Sequence, residues 1–295
     1  MRLDQDSRSL LGSARIGMLA LSTRPYPVVN PAAFVFSGDS VWMTTSRFAA
    51  KIGMARRDPR AAFMVVRHGR SVLLQGLLEA YDPRSPSSAL RALFDGPRFA
   101  LGMTGYALKN AAYIGGYMVD ITGVPREWWP HNRAVLRLRV ERSRALVAGT
   151  ATAGRPDVLV GAPSAVARGV GKESAAILCW LQRGAVGPHM VPVLWAADAE
   201  DVLVWVPDGV PPPPAGAPAG VVVEYHHQFR ATRMLGACPR GRLEYDEAAR
   251  PALEERYQVE LGAGQGFRLR TRRVTWWQGF GVGTVSVAAT ARPRS

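Results

Sequence analysis

Short apolar runs alternate with turn residues through the N-terminal third of the chain. The runs lie at residues 14–22, 27–36, 41–44, 61–66 and 71–81. Gly38-Asp39 and His68-Gly69 separate neighbouring runs, and such dipeptides suit the tight turns of β-hairpins. Between residues 47 and 58 the sequence predicts one short helix. The pattern predicts a small antiparallel barrel of short strands with a helix between two of them.

The same order of signals returns in the C-terminal half. Four segments match four earlier ones in sequence order: 188–195 with 27–34, 201–205 with 39–43, 241–246 with 76–82, and 267–274 with 135–142. One match would be chance, but four in one order indicate a duplicated barrel. We therefore expect an N-terminal barrel at residues 1–150, a linker rich in Gly, Ala and Pro at 151–168, and a C-terminal barrel at 169–295.

The first barrel also carries an insert at residues 83–132. Residues 87–99 are expected to be helical, and 106–113 form a second amphipathic segment. The insert ends near Trp128-Trp129, followed by Pro130. These aromatic side chains suit either the face of a cofactor ring or packing at a domain boundary, and the second role is the commoner one.

Side chains that could bind a ligand are concentrated where the apolar run 41–43 ends. Thr44, Thr45, Ser46 and Arg47 follow it, and Lys51 lies in the first turns of the expected helix. Unpaired N–H groups at a helix start, hydroxyls and a compact ammonium together suit a phosphate. Only three of the 37 cationic residues are lysines. The alternative is a solvated helix face with an ordinary N-cap at Thr45 or Ser46.

These motifs together resemble the pyridoxamine 5'-phosphate oxidase-like split barrels, which bind FMN and include F420-dependent reductases. The resemblance spans residues 8–82. The residues that carry it are the Gly-Asp turn, Thr45-Ser46-Arg47, Lys51, Arg57-Asp58-Pro59-Arg60, Gly76 and Glu79. It implies a mainly β (α+β) fold of two tandem antiparallel six-stranded split β-barrels with short helices, arranged as a pseudo-dimer.

The resemblance also implies site residues. Thr45 and Lys51 would hold the cofactor phosphate, and Thr44, Ser46 and Arg47 would assist them. Asn30 would offer a hydrogen bond to the cofactor ring, and Pro31 would shape the wall beside it. FMN or F420 is the implied cofactor.

The sequence departs from the FMN oxidases of this family at the phosphate. Ala49 and Ala50 stand where those oxidases have a Ser-Arg pair, and Val29 stands where they have a phosphate-binding Arg. Oxidation of pyridoxamine phosphate is therefore not expected. The second copy runs into the Pro-rich segment 207–216 in place of a helix. We therefore expect the second barrel to be degenerate and each chain to have one cofactor cleft. The protein is expected to be a monomeric pseudo-dimer or a homodimer.

The composition limits the classes of binding partner that the protein is expected to have. The formal charge of +14 is scattered along the chain without a nucleic-acid-binding motif, so no nucleic acid is expected. No apolar run reaches about 20 residues, so we expect no membrane partner and a cytoplasmic protein. Cys179 and Cys238 fit neither a disulfide framework nor a metal site. The Arg, Ala, Gly and Pro bias is typical of a bacterial genome rich in G and C.

The function expected from these observations is an FMN- or F420-dependent oxidoreductase of bacterial secondary metabolism, acting on a small organic substrate by hydride transfer. We assign no catalytic acid or base, since the cofactor itself performs that chemistry. Two alternatives stay open: a non-catalytic flavin-binding or regulatory protein, and a haem-binding or haem-degrading barrel. The haem reading requires an iron ligand among His68, His131, His189, His226 and His227.

Overall fold

A computed structural model describes residues 3–67, 69–147, 154–173, 175–182, 184–225 and 230–287. The helices are α1 (Gln5–Ser13), α2 (Ala50–Arg57), α3 (Pro86–Lys109), α4 (Ala111–Val119), α5 (Ser164–Val170) and α6 (Ala249–Tyr257). The strands of the N-terminal half are β1 (Ile16–Leu21), β2 (Val28–Ser37), β3 (Ser40–Ser46), β4 (Arg60–Arg67), β5 (Arg70–Tyr81) and β6 (Arg133–Val147). Those of the C-terminal half are β7 (Ala175–Trp180), β8 (His189–Asp198), β9 (Asp201–Pro207), β10 (Pro218–Tyr225), β11 (Leu235–Tyr245), β12 (Gly264–Gln278) and β13 (Gly281–Ser286).

The strands form two antiparallel barrels of the same topology. The first is closed in the order β1-β2-β3-β6-β5-β4. The second follows the order β7-β8-β9-β12-β11-β10, is closed by pairing of β11 with β12, and carries β13 as a hairpin on β12. The expectation of two six-stranded barrels in tandem is thereby confirmed.

A β-bulge recurs at the same place in both copies. The register shifts between Gln75 and Gly76 in the β5–β6 pair, and between Arg240 and Gly241 in the β11–β12 pair. A Cβ atom on Gly76 would lie 1.9 Å from a facing carbonyl oxygen, and one on Gly241 would lie 1.7 Å from the corresponding oxygen. Both glycines are therefore required by close backbone approach.

Strand register also corrects the sequence alignment of the copies by one position. Phe34 pairs with Met43 and Trp195 pairs with Val204, so β2 and β8 correspond as the prolines suggest. On β6 and β12, however, the match of segments 267–274 and 135–142 is displaced by one position. It aligns Arg268 with Leu136, whereas the strand register aligns the buried Arg268 with the buried Arg137. Because Arg residues alternate along both strands, the two sequences can be matched one position out of register. The alternation of inward-facing and outward-facing side chains excludes that match.

Each barrel encloses its own apolar core, and a third cluster lies between them. In β3, Val41 and Met43 face the first barrel's interior, whereas Trp42 packs outward against α3. The interface cluster joins Met18, Ala20, Val29, Ala62, Met64, Leu73 and Leu146 of the first barrel to Ile177, Cys179, Met190, Val222, Cys238 and Trp277 of the second. Gln75 adds hydrogen bonds from its Nε2 to the carbonyls of Gly187 at 3.2 Å and Pro188 at 2.8 Å. The two barrels therefore pack as the halves of a pseudo-dimer.

The insert is helical, as expected, and longer than the sequence indicated. α3 runs from residue 86 to 109 with a break at Gly96, where φ is 22° and Pro97 follows. α4 and three 3-10 turns, Ile121–Gly123, Arg126–Trp128 and Pro130–Asn132, complete it. Among the described residues, none of the helices has the length and apolar character that crossing a bilayer requires.

The described part of the predicted linker packs on the second barrel. Leu159 is buried there, and α5 begins at Ser164 and buries Val166 and Val170 in the same core. Apolar side chains among the glycines and alanines account for this packing. Residues 148–153, where that segment begins, lie outside the described residues.

Candidate functional site

A cavity lies where the first barrel, its helical insert and the second barrel meet. Its empty space is about 830 Å³, part of it open to solvent. The first barrel and the insert supply Asn30, Pro31, Ala32, Ala33, Thr44, Lys51, Tyr106, Tyr113, Tyr117, Trp128 and Arg133. The second barrel supplies Ala231, Met234, Trp277, Gly279, Phe280 and Val282. Apolar and aromatic side chains form most of its lining, with a few polar groups among them, which is the character of small-molecule and cofactor sites.

One end of the cavity is cationic. Lys51 lies in the first turn of α2, and Arg133 lies at the start of β6 beside the end of β3. Burial, and secondarily the charge of Arg133, lower the pKa of Lys51 to about 8. Two cations close enough to oppose each other's charge are stabilised by an anion placed between them.

Neutral donors complete this cationic end. Arg133 donates from Nη2 to the Thr44 hydroxyl at 2.7 Å, and that hydroxyl lies 3.0 Å from the phenol oxygen of Tyr106 on α3. The residue at the N-cap of α2 is Ala49, and no side chain caps that helix start. Its first N–H groups are therefore available to an acceptor. None of the described residues that line the cavity is a carboxylate.

The other walls are aromatic and come from both halves. Phe280, in the β12–β13 turn, lies 5.3 Å from the ring of Trp128 and 5.9 Å from that of Tyr117. The Tyr117 hydroxyl donates to the carbonyl of Trp128, and the Tyr113 hydroxyl lies 3.0 Å from the sulfur of Met234. Burial raises the pKa of both tyrosines, so their phenols stay protonated.

An ionic contact fixes the insert to the second barrel beside the cavity. Arg230 pairs with Asp120, and the Thr232 hydroxyl donates to the same carboxylate at 2.6 Å. The Thr232 hydrogen bond, with Arg230, holds the pKa of Asp120 below its usual value. The cavity walls from the two halves are thereby held in one arrangement.

The structure brings four of the seven site residues expected from the sequence to this cavity. Asn30, Pro31, Thr44 and Lys51 line it. The side chain of Thr45 instead faces the first barrel's interior: it is 1% exposed, and its hydroxyl has no hydrogen-bond partner. Because side chains alternate along β3, Thr44 and Thr45 point to opposite faces.

Ser46 and Arg47 have structural partners beside the cavity. The Ser46 hydroxyl donates to the carbonyl of Glu127 and accepts from the N–H of Phe48 at 3.2 Å. Arg47 forms an ion pair with Asp82 at 3.2 Å. Their contacts order the turn from β3 into α2, which positions Lys51.

Several cavity residues were outside the sequence prediction. Trp128 was noted, with packing at a domain boundary as the favoured role. Arg133 and Tyr106 lie on elements that meet β3 only after folding, and Phe280 comes from the second copy. A cation directly before a long strand is too common a signal to mark Arg133 in advance.

The second copy has no counterpart of this cationic end. After β9 the chain continues through residues 208–217 as a loop, where the first barrel has α2. Val210 of this loop packs against the interface cluster, and Arg144 donates to the carbonyl of Gly209 at 2.9 Å. Within the described residues, no group of three or more His, Cys, Asp or Glu side chains is placed to bind a metal.

Comparison with known proteins agrees with this architecture. Residues 4–104 match the sequence profile of the family described as pyridoxamine 5'-phosphate oxidase. The first barrel is thus similar to this family over the segment from α1 into α3. A search of curated proteins finds no match.

Solved structures resemble about half of the chain each. A FAD-binding protein from Mesorhizobium loti is 19% identical, covers 48% of this chain and 94% of its own, and has a TM-score of 0.32. A heme binding protein from Mycobacterium smegmatis is 22% identical over 50% of this chain and 55% of its own, with a TM-score of 0.35. An F420 reductase is 20% identical over 48% and 98%, with a TM-score of 0.31.

Proposed function

We propose that this protein is an FMN- or F420-dependent oxidoreductase that acts on a small organic substrate. The observation that carries the proposal is the division of the cavity into a cationic end, formed by Lys51 and Arg133, and an aromatic remainder without a carboxylate. Both cofactors have this character, since each joins a planar ring system to a phosphate-bearing tail.

Lys51 and Arg133 would hold the cofactor phosphate. The Thr44 hydroxyl, which already accepts from Arg133, and the uncapped start of α2 would donate to the remaining phosphate oxygens. An ammonium and a guanidinium at partly buried positions make charge-assisted hydrogen bonds stronger than neutral ones. The donor set therefore fits a phosphate without any change of partner for Ser46 or Arg47.

The ring would lie against the β2 wall and the aromatic side chains. The Asn30 amide, which lines the cavity, would donate to or accept from a ring edge, and Pro31 would limit the space beside it. Trp128, Tyr117 and Phe280 would exclude water from the reacting face. When bound, the cofactor supplies the hydride transfer, and the protein contributes orientation and a dry environment.

Haem binding receives no support from the described residues. Of the five histidines, His131 and His189 do not line the cavity, and His189 stacks on Trp180 at 5.1 Å. His68, His226 and His227 lie outside the described residues. Spectroscopy of the purified protein distinguishes this alternative and the non-catalytic one from the proposal.

The test is a titration of the purified protein with FMN, F420 and haem, followed by absorption and by quenching of cofactor fluorescence. We expect saturable binding of FMN or F420 and, with the preferred cofactor, reduction or oxidation of a small organic acceptor. Arg133→Met should weaken this binding about ten- to a hundredfold, the cost of one charge-assisted contact. Arg126→Met, nearby but outside the cavity lining, is the matched control. Absence of binding by both cofactors would refute the proposal.

A further inference from the structure

The helical insert exposes an unusual share of the molecule's apolar side chains. Seven of the fourteen exposed large hydrophobic residues in the described part of the chain lie between residues 86 and 119. They are Leu90 at 55%, Leu93 at 74%, Phe94 at 82%, Leu101 at 67%, Leu108 at 74%, Met118 at 49% and Val119 at 70% exposed. Concentrated exposure of this kind marks a surface that binds a partner.

These side chains lie opposite the face that packs on the barrel. Leu90 and Phe94 lie one turn apart before the break at Gly96, and Leu101 and Leu108 lie two turns apart after it, so each pair shares one side of its helical segment. Tyr106 and Asn110, on the opposite side, are buried against the first barrel. α3 is therefore apolar on two faces, and only one of them is covered by the described residues.

The exposed charges that the insert itself places beside this face are positive, and Asp39 of the β2–β3 turn is an exposed acid close to Arg98. Arg84, Arg91 and Arg98 recur every seven residues, and each is exposed. The stretch contains one acid, Asp95, which points to the barrel and binds Arg137 at 3.1 Å and the Tyr81 hydroxyl at 2.5 Å. Residues 84–119 thus present outward an apolar strip bordered by arginines.

We propose that this α3–α4 surface docks on a bilayer that contains anionic lipids. An amphipathic helix with aliphatic and aromatic side chains on one face and arginines along its border lies in the headgroup region, where both groups are stabilised. Anionic headgroups pair with the arginines and with the chain's formal charge of +14. Docking of this kind needs no membrane-spanning helix, and it departs from the sequence expectation of no membrane partner.

The charge pattern disfavours a second copy of this chain as the occupant. Two such faces brought together would place arginines of both copies side by side, with Asp95 already engaged on the opposite side of α3. Like charges brought side by side oppose association, and Asp39, close to Arg98, offsets one arginine of each copy but not Arg84 or Arg91. Docking on lipid, in contrast, meets no such repulsion and would leave the cavity behind the same two helices, which supply Tyr106, Tyr113 and Tyr117 to its wall.

Sedimentation with lipid vesicles tests the proposal. The full chain is mixed with vesicles of phosphatidylcholine alone, or of phosphatidylcholine with about 30 mol% phosphatidylglycerol, at about 0.1 M salt. We expect at least about tenfold tighter binding to the anionic vesicles, decreasing as salt screens the headgroups. Failure of the native protein to bind the anionic vesicles would overturn the proposal.

Variants identify the surface that binds. Leu93→Glu combined with Phe94→Glu, and separately Arg91→Glu combined with Arg98→Glu, should each weaken vesicle binding at least about tenfold. Val158→Glu combined with Val160→Glu adds the same two negative charges as Leu93→Glu/Phe94→Glu, at side chains 61% and 45% exposed and remote in sequence from the insert, and is the matched control. Thermal melting verifies that each variant is folded, as expected for exposed positions.

Two further outcomes would also overturn the proposal. One is binding by Leu93→Glu/Phe94→Glu as tight as that of the native protein, which would place the lipid contact elsewhere. The other is a homodimer in light scattering that Phe94→Glu converts to monomer, which would show that the surface associates with a second copy.

Discussion

Lys51, the proposed phosphate ligand, lies in an environment that weakens its own charge, since burial and Arg133 lower its pKa to about 8. The sequence predicted Lys51 and Thr44 because both lie close to the end of one strand. The sequence could not distinguish the role of Thr44 from that of Thr45, because their roles depend on which face of β3 lines the barrel interior. Arg133 lies 82 positions after Lys51 in the sequence, and only the folded structure shows that the two residues are neighbours.

Replacing Lys51 tests the cationic end directly. Lys51→Ala removes one charge-assisted contact, worth about 1.5–3 kcal/mol, so affinity for FMN or F420 should fall about ten- to a hundredfold. Lys172→Ala removes the same charge at an exposed position, and it should leave affinity unchanged. Equal affinities of Lys51→Ala and the native protein, measured by fluorescence titration, would contradict the role of Lys51.

Cofactor affinity should also depend on pH. The folded-state pKa of Lys51 is about 8 against an ordinary 10.5, so its positive charge is present below pH 8 and lost above it. A phosphate monoester is already fully ionised above about pH 7, so affinity should decrease as pH rises through 8, by up to about tenfold per unit. Lys51→Arg stays charged and should give a flat profile. A flat profile for the native protein would show that Lys51 does not contact the anion.

At the scale of elements, the duplicated bulge and the β12–β13 hairpin show what a strand pattern does and does not specify. Gly76 and Gly241 were matched from the sequence, and the structure gives both the same role against a facing carbonyl. The hairpin that places Phe280 over Trp128 had no sequence signal, because its contacts join residues more than 150 positions apart. Strand order was predictable from the repeat, but the partner of each loop was not.

Substitution of the bulge glycines should destabilise both copies. Gly76→Ala and Gly241→Ala each place a Cβ atom within 2 Å of a carbonyl oxygen, and the forced backbone shift should lower the free energy of unfolding by about 2 kcal/mol or more. Gly53→Ala, in α2, meets nothing within 4 Å and should stabilise by about 0.5–1 kcal/mol. Urea unfolding measures all three. Loss of stability by Gly53→Ala as large as that of the other two would argue against the steric explanation.

The hairpin should contribute to ligand affinity in addition to its packing on the insert. Phe280→Ala removes an aromatic wall of the cavity, worth about 0.5–1.5 kcal/mol, and should weaken FMN or F420 binding about two- to tenfold. Val285→Ala, on the same hairpin and 44% exposed, is the control. A drop in melting temperature without a change in affinity would assign Phe280 to packing alone.

At the scale of the whole molecule, two barrels of one topology use a shared cavity that is cationic at one end only. The tandem repeat could be predicted because prolines, turns and glycines recur in order. The site could be predicted only in part, because six of its lining residues belong to the opposite barrel. Contacts between two domains leave no periodicity in the sequence of either one.

Binding stoichiometry follows from this asymmetry. The cationic end requires α2, and the second copy has the loop of residues 208–217 in its place, so we expect one equivalent of cofactor per chain. Calorimetric titration of FMN or F420 into protein of known concentration measures the ratio. A ratio of two would mean that the second copy binds the cofactor by other residues.

The loop of residues 208–217, with Val210 in the seam between the barrels, has a consequence for how such a protein diverges. In an assembly of two identical subunits, each substitution is inherited at both symmetry-related places, and a change that improves one place can ruin the other. Joining the two copies in one gene removes that coupling. A second copy joined in this way is free to carry a proline-rich loop where the first has a helix, and Lys51 and its neighbours are selected independently of it.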